Sequence, residues 1–181
     1  PTKITKFDTK YNQYFDLFDL PVSFSIDKNK LRKKYYALNR ENHPDNFTLV
    51  DQEEQMSALD KSSIINEAFK TLKDDMLRIK YTLELTGIKF EEGNESVPQI
   101  FLMEMMDINE NIFDFKMNPS DEAKTSIVSQ INLLENRILE NVTEFINNFD
   151  FNNLNNKQLE LIKDYYLKRK YLNRIENNFD N

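Results

Sequence analysis

Glycine is so scarce in this chain that it decides the fold class: 181 residues contain only two, together with five prolines. Strands joined by tight hairpins need many more residues that tolerate positive φ or preset a turn, so long helices with few breaks are favoured. An all-α fold is expected. The length suits one medium domain or two small ones, each with a modest core. The charges favour two, because residues 1–90 carry 15 Lys/Arg against 14 Asp/Glu, a balance of +1, whereas residues 91–181 carry 9 against 17, a balance of −8. That asymmetry points to two units with different partners.

Cysteine is absent, which excludes disulfides, thiolate nucleophiles, cysteine-ligated zinc and cluster ligation by the chain's own thiols. With one histidine and no ordered acidic-ligand motif, a hydrolase or metal-dependent enzyme finds little support, and no metal or cofactor is expected. The net charge of −7 argues against nucleic acid as a partner, since phosphate-binding surfaces show a basic excess. No apolar run approaches the roughly 20 residues that cross a bilayer, and Pro1-Thr2-Lys3-Ile4 has no secretory apolar segment. A cytoplasmic protein with no membrane partner is expected, and nothing demands more than a monomer.

Along the chain, Tyr14-Phe15-Asp16-Leu17-Phe18 reads as a short aromatic helix ending before Pro21. Asp27 is placed to cap a second helix that runs to about Asn42. At 100° per residue, Leu31, Tyr35 and Leu38 share one face of it, while Lys33, Tyr36, Ala37 and Arg40 point away, with Lys30 and Lys34 beside them. The residue before a proline is biased out of the helical region, so Asn42-His43-Pro44 should end this helix and open a loop through Asp45, Asn46 and Phe47. Asp51 with Glu54 resembles a capping box for a long helix containing Ile64, Ile65, Ala68, Phe69 and Leu72. Asp74-Asp75 marks a break, and Met76 to Leu85 a fourth helix ended by Gly87.

Residues 88–97 include Glu91-Glu92-Gly93-Asn94-Glu95-Ser96 and read as a linker between units 1–87 and 98–181. Beyond it, helices are expected at about 99–116, 121–149 and 156–179, forming an antiparallel three-helix bundle. In the first, Phe101, Met105, Ile108, Ile112 and Phe115 make a packing stripe at heptad spacing. In the last, Leu161, Tyr165, Leu172, Ile175 and Phe179 do the same, with Leu167, Lys170, Tyr171 and Arg174 on another face.

His43-Pro44-Asp45 lies between a basic amphipathic helix and a longer one, preceded by the aromatic helix at Tyr14. That combination resembles the J-domain. The resemblance implies that the tripeptide and the basic residues Lys30, Lys33, Lys34 and Arg40 engage a DnaK-class chaperone and stimulate its ATP hydrolysis. The chemistry suits docking: proline stiffens the loop, Asp45 offers a fixed carboxylate to a partner arginine, and the cations steer the domain to an acidic surface. A His/Asp catalytic pair is disfavoured, because residues two apart around a proline do not automatically meet and no nucleophile motif accompanies them.

In the second half, Phe101-Leu102-Met103-Glu104-Met105-Met106-Asp107-Ile108-Asn109-Glu110 and Leu167-Lys168-Arg169-Lys170-Tyr171-Leu172 resemble the first and last helices of the C-terminal domain of HscB-type co-chaperones. With the J-domain and Tyr81-Thr82-Leu83-Glu84-Leu85-Thr86-Gly87, the resemblance covers most of residues 14–179. It implies an HscA-type ATPase chaperone and an IscU-type iron-sulfur scaffold as partners, the scaffold meeting Leu102, Met103, Met106, Asp107, Glu110 and Asp114, extended by Lys170 and Tyr171. Asn46 stands where the family commonly has lysine, and Met106 and Asp107 where it has leucine and glutamate.

Helical geometry independently sets Leu102, Met103, Met106 and Phe113 outside the packing stripe, beside Asp107, Glu110 and Asp114. Burying such a side chain is worth about 1.5–3 kcal/mol, so several left exposed imply a cover. Either the protein's other parts provide it or a partner does. With association costs subtracted, three or four apolar anchors predict micromolar affinity. A J-domain adaptor for a different client protein is the alternative.

Overall fold

The structure is a computed structural model that describes residues 13–43, 52–91 and 95–180. Among these, α1 spans Gln13–Leu17, α2 Lys28–Glu41, α3 Gln52–Lys73, α4 Asp75–Leu85, α5 Gln99–Met117, α6 Asp121–Asn147 and α7 Asn156–Asp180. The chain divides into two compact units, Pro1–Gly87 and Ile88–Asn181. The all-α expectation holds, and the helix boundaries fall close to where caps and prolines set them.

In the first unit, α2 begins where Asp27 accepts hydrogen bonds from the backbone N–H groups of Asn29 and Lys30, which satisfies two of the unpaired first-turn donors. Those two bonds also hold the Asp27 carboxyl below the usual carboxylate range. The proposed Asp51 cap lies outside the described residues. α3 and α4 are separated by Asp74, whose side chain accepts from Leu77 N. Gly87, at φ +90°, closes α4 in a conformation that an L side chain rarely adopts. The core gathers Phe15, Leu17, Phe18, Leu20, Leu31, Ile65, Ala68 and Leu72.

Aromatic rings fix the edges of that core. Tyr14 stacks on Tyr81 with ring centres 4.7 Å apart, and Tyr35 lies on Phe69 at 3.9 Å while its hydroxyl donates to Asn66. Lys28 reaches Asp75 as Tyr35 reaches Asn66 and Phe69, so α2 and α3 run antiparallel. Arg78 is only 4% exposed and acts as an internal pin, donating to the carbonyls of Phe24 and Leu72 and pairing with Asp75. Partial burial pushes the Asp75 carboxyl up, but hydrogen bonds from Lys28 and Arg78 outweigh it and hold the group below its ordinary value.

In the second unit, α5 and α6 are antiparallel, tied by Asn111 to Gln130 and by Glu104 to Arg137, and α6 and α7 are antiparallel through Glu135 and Arg169. α5 and α7 run parallel, with Lys168 over the Phe101 ring at one level and Phe115 against Phe179 at another. Ser120 caps α6 by accepting from Ala123 N. The core is a regular succession of Phe101, Met105, Ile108 and Ile112 on α5 and Ile127, Ile131, Leu134, Ile138 and Val142 on α6.

The α7 side of this bundle corrects the sequence reading in two places. Leu161, expected in the packing stripe, is 37% exposed, and Ile162 takes the buried position. The reason is helix length: Lys168 sits level with Phe101, so Leu161, two turns earlier, lies beyond the start of α5 at Gln99. Leu167, expected on an open face, is 6% exposed. The segment read as a linker packs on that side of α7. Phe90 meets the Tyr166 ring edge-on, Glu95 pairs with Lys170, and Val97 is buried.

Candidate docking surfaces

The first candidate surface is on α2. Its backbone ends where both the N–H and the side-chain amide of Asn42 donate to the Leu38 carbonyl, which places His43 just outside the helix and exposed. Pro44 and Asp45 lie outside the described residues. Leu31 is fully buried and Tyr35 and Leu38 are partly buried, so the inward face is the expected one. Lys30, Lys33 and Arg40 are exposed together with Tyr36 on the outward side. Lys34 differs from them: its Nζ is 2.6 Å from an Asp19 carboxylate oxygen, so an ion pair within the unit already neutralises its charge. Asp19 has φ +51°, an uncommon region for a residue with a side chain, and occupies it in the turn just after α1.

The second candidate surface is on α5. Leu102, Met103, Met106 and Phe113 are all exposed, Met106 at 64% and Phe113 at 65%, while Phe101, Met105, Ile108 and Ile112 face the core. Asp107, Glu110 and Asp114 are exposed beside them. Met117, which lay past the helix end expected at 116, is exposed too, and sits four residues after Phe113 on the same side. A helix one residue longer than expected therefore extends the apolar strip by a turn.

Tyr171 and Lys170 part company on α7. Lys168 and Asn178 both reach α5, at Phe101 and Lys116, and Tyr171 lies three residues from the first and seven from the second, on the flank nearest α5. Tyr171 thus borders the apolar strip, partly buried, with the Arg174 guanidinium over its ring. Lys170 turns to the 88–97 segment instead, its ammonium 3.2 Å from a Glu95 carboxylate oxygen. Among the described residues no His/Cys/Asp/Glu cluster is arranged to hold a metal ion, and no helix is long and apolar enough to cross a membrane.

Residues 97–180 match the family model of the HSCB C-terminal oligomerisation domain. A curated relative from Psychromonas ingrahamii, a co-chaperone protein HscB homolog, is 36% identical over 129 residues, which is 69% of this chain and 76% of the relative. The solved chaperone HscB from Vibrio cholerae superposes with a TM-score of 0.76 at 25% identity, covering 92% of this chain and 94% of that one. The crystal structure of human co-chaperone protein HscB gives 0.78 at 30% identity, covering 92% and 80% respectively. With an N-terminal J-domain fold followed by a three-helix bundle, the chain belongs to the HscB co-chaperone family.

Proposed function

We propose that this chain is a co-chaperone of iron-sulfur cluster assembly that stimulates the ATPase of an HscA/DnaK-type chaperone and delivers an IscU-type scaffold to it. One observation supports this above the others: α5 exposes Leu102, Met103, Met106 and Phe113 beside three carboxylates, although the bundle buries every residue of its packing stripe except the half-buried Phe115. A protein surface that covered those side chains would gain the burial the free chain forgoes.

In this reading Leu102, Met103 and Met106 are apolar anchors, Asp107, Glu110 and Asp114 select a basic rim, and Tyr171 closes the flank. Lys170 contributes through Glu95 rather than as a free cation. Lys30, Lys33 and Arg40 attract the chaperone, with Lys34 a weaker contributor, and His43, Pro44 and Asp45 make the docking contact. The chain performs no covalent chemistry, holds no cofactor, and acts as a monomer in the cytoplasm.

The test is steady-state ATP hydrolysis by the HscA-type chaperone, with the scaffold protein and this chain added separately and together. Stimulation by both together exceeds the sum of their separate effects, and His43→Gln removes the part owed to this chain. Stimulation without synergy keeps the J-domain role and points to a different client. A full response from His43→Gln refutes the docking assignment.

A further inference from the structure

Leu133 is 70% exposed on α6, whose inward positions Ile127, Ile131, Leu134, Ile138 and Val142 are all buried. With Glu104, Asp107, Ile108, Gln130 and Arg137 it lines a groove of about 280 Å³ between α5 and α6. Small-molecule sites run to roughly 300–1,000 Å³ and enclose most of their ligand, so a groove of this size suits one or two protein side chains better than a metabolite. Ile108 and Leu133 give it an apolar lining.

The charge around the groove is one-sided. Asp107 is exposed on its rim, and Glu110 and Asp114 lie on the outer side of the same helix. The cation at the groove, Arg137, is paired with Glu104 and leaves no net positive charge there. Asp107 belongs to both the groove and the apolar-acidic face of α5, and Met103 is one helical turn from it, so the two surfaces are continuous.

We infer that this groove receives an apolar side chain from a basic segment of the partner that docks on α5, which makes Leu133 a binding residue on the second helix of the bundle. The inference rests on the reading of α5 as the scaffold-binding face. The apolar side chain covers Leu133 and reaches Ile108, while Lys or Arg residues on either side of it meet Asp107 and Glu110. An acidic segment would bring like charges together along the rim.

Calorimetric titration of the full chain with an IscU-type scaffold protein tests this, using Leu133→Gln, which keeps the length of an exposed side chain and removes its apolar surface. Binding is expected to weaken roughly tenfold or more, with an unchanged melting temperature, while Leu133→Met stays near the unsubstituted chain. Affinity is also expected to fall between about 50 and 300 mM salt. If Leu133→Gln binds normally while Leu102→Ala/Met106→Ala binds weakly, the groove is overturned and the α5 reading survives. If the unsubstituted chain does not bind the scaffold, both fall. Salt-independent affinity overturns the basic character of the segment. A self-association seen by sedimentation and abolished by Leu133→Gln, with scaffold affinity unchanged, makes a second copy the occupant and overturns the inference.

Discussion

The two units offer surfaces of opposite chemistry and are built inside by different means. The first presents cations on α2, and its interior includes the buried polar side chains Arg78 and Thr82. The second presents apolar side chains among carboxylates on α5, and the buried positions of its helices are aliphatic or aromatic residues. A cationic surface acts at a distance and is screened by salt, whereas an apolar one acts only once water is displaced. Partner recognition should therefore be set by the rate of encounter in the first unit and by the rate of escape in the second. In the first unit, folding moves the titration of Tyr14, Asp27, Asp75 and Tyr81.

The largest effect that would break this comparison is Arg78→Met. It leaves the carbonyls of Phe24 and Leu72 without their donor in a buried place and Asp75 without one of its two cations. A loss of about 2–4 kcal/mol is expected from the first unit. Amide hydrogen exchange should accelerate in α1–α4 and stay unchanged in α5–α7. Equal acceleration in α7 would mean that the units unfold together and that their interiors cannot be contrasted.

Next in size is Leu102→Ala/Met106→Ala, which removes two exposed anchors without touching the core. Scaffold affinity should weaken about 10- to 100-fold through faster dissociation, with little change in association rate or melting temperature. A change confined to the association rate would put the second surface in the same class as the first.

Much of this was legible in the sequence, for reasons that particular residues make plain. Asp27, Asp74 and Gly87 each act within a few residues of themselves, so the starts and stops they set survive into the fold. The α5 stripe is equally local, because Phe101, Met105, Ile108 and Ile112 repeat at helical spacing against two neighbours that run its whole length. Leu161 and Leu167 failed for non-local reasons. Their burial depends on where α5 begins and on whether residues 88–97 pack, and neither appears in the periodicity of α7. Ile88, Phe90 and Val97 were the available signal, three apolar residues in an otherwise polar segment. The ion pair of Lys34 was hidden in the same way, since its partner Asp19 lies 15 residues away in a turn.

Tyr14 gives a smaller test, of how the first unit responds to pH. Burial and then the neighbouring Glu67 carboxylate push its phenol up from 10.0 to about 12. A raised phenol means that the folded state favours the neutral form, so its contribution is full below pH about 10 and is lost as the pH rises towards 12. Allowing for its partial exposure, that contribution is about 1 kcal/mol. Unfolding free energies of the chain and of Tyr14→Phe should diverge between those limits, and parallel curves would assign the alkaline sensitivity to another group.

The smallest expected effect bears on steering. Lys30, Lys33 and Lys34 lie on one helix within two turns, and charge count alone gives them equal weight. The structure separates them, because Asp19 stands 2.6 Å from the Lys34 ammonium while Lys30 and Lys33 are exposed. At long range the Lys34–Asp19 pair is a dipole, and its field falls off faster than that of a lone charge. Lys33→Ala should therefore slow association with the HscA-type chaperone by about twofold at low salt, and Lys34→Ala by less. Removing Lys34 also takes a cation from beside the Asp19 carboxylate, so Asp19→Asn/Lys34→Ala should associate faster than Lys34→Ala alone. If the double variant is the slower of the two, Asp19 is not acting through charge.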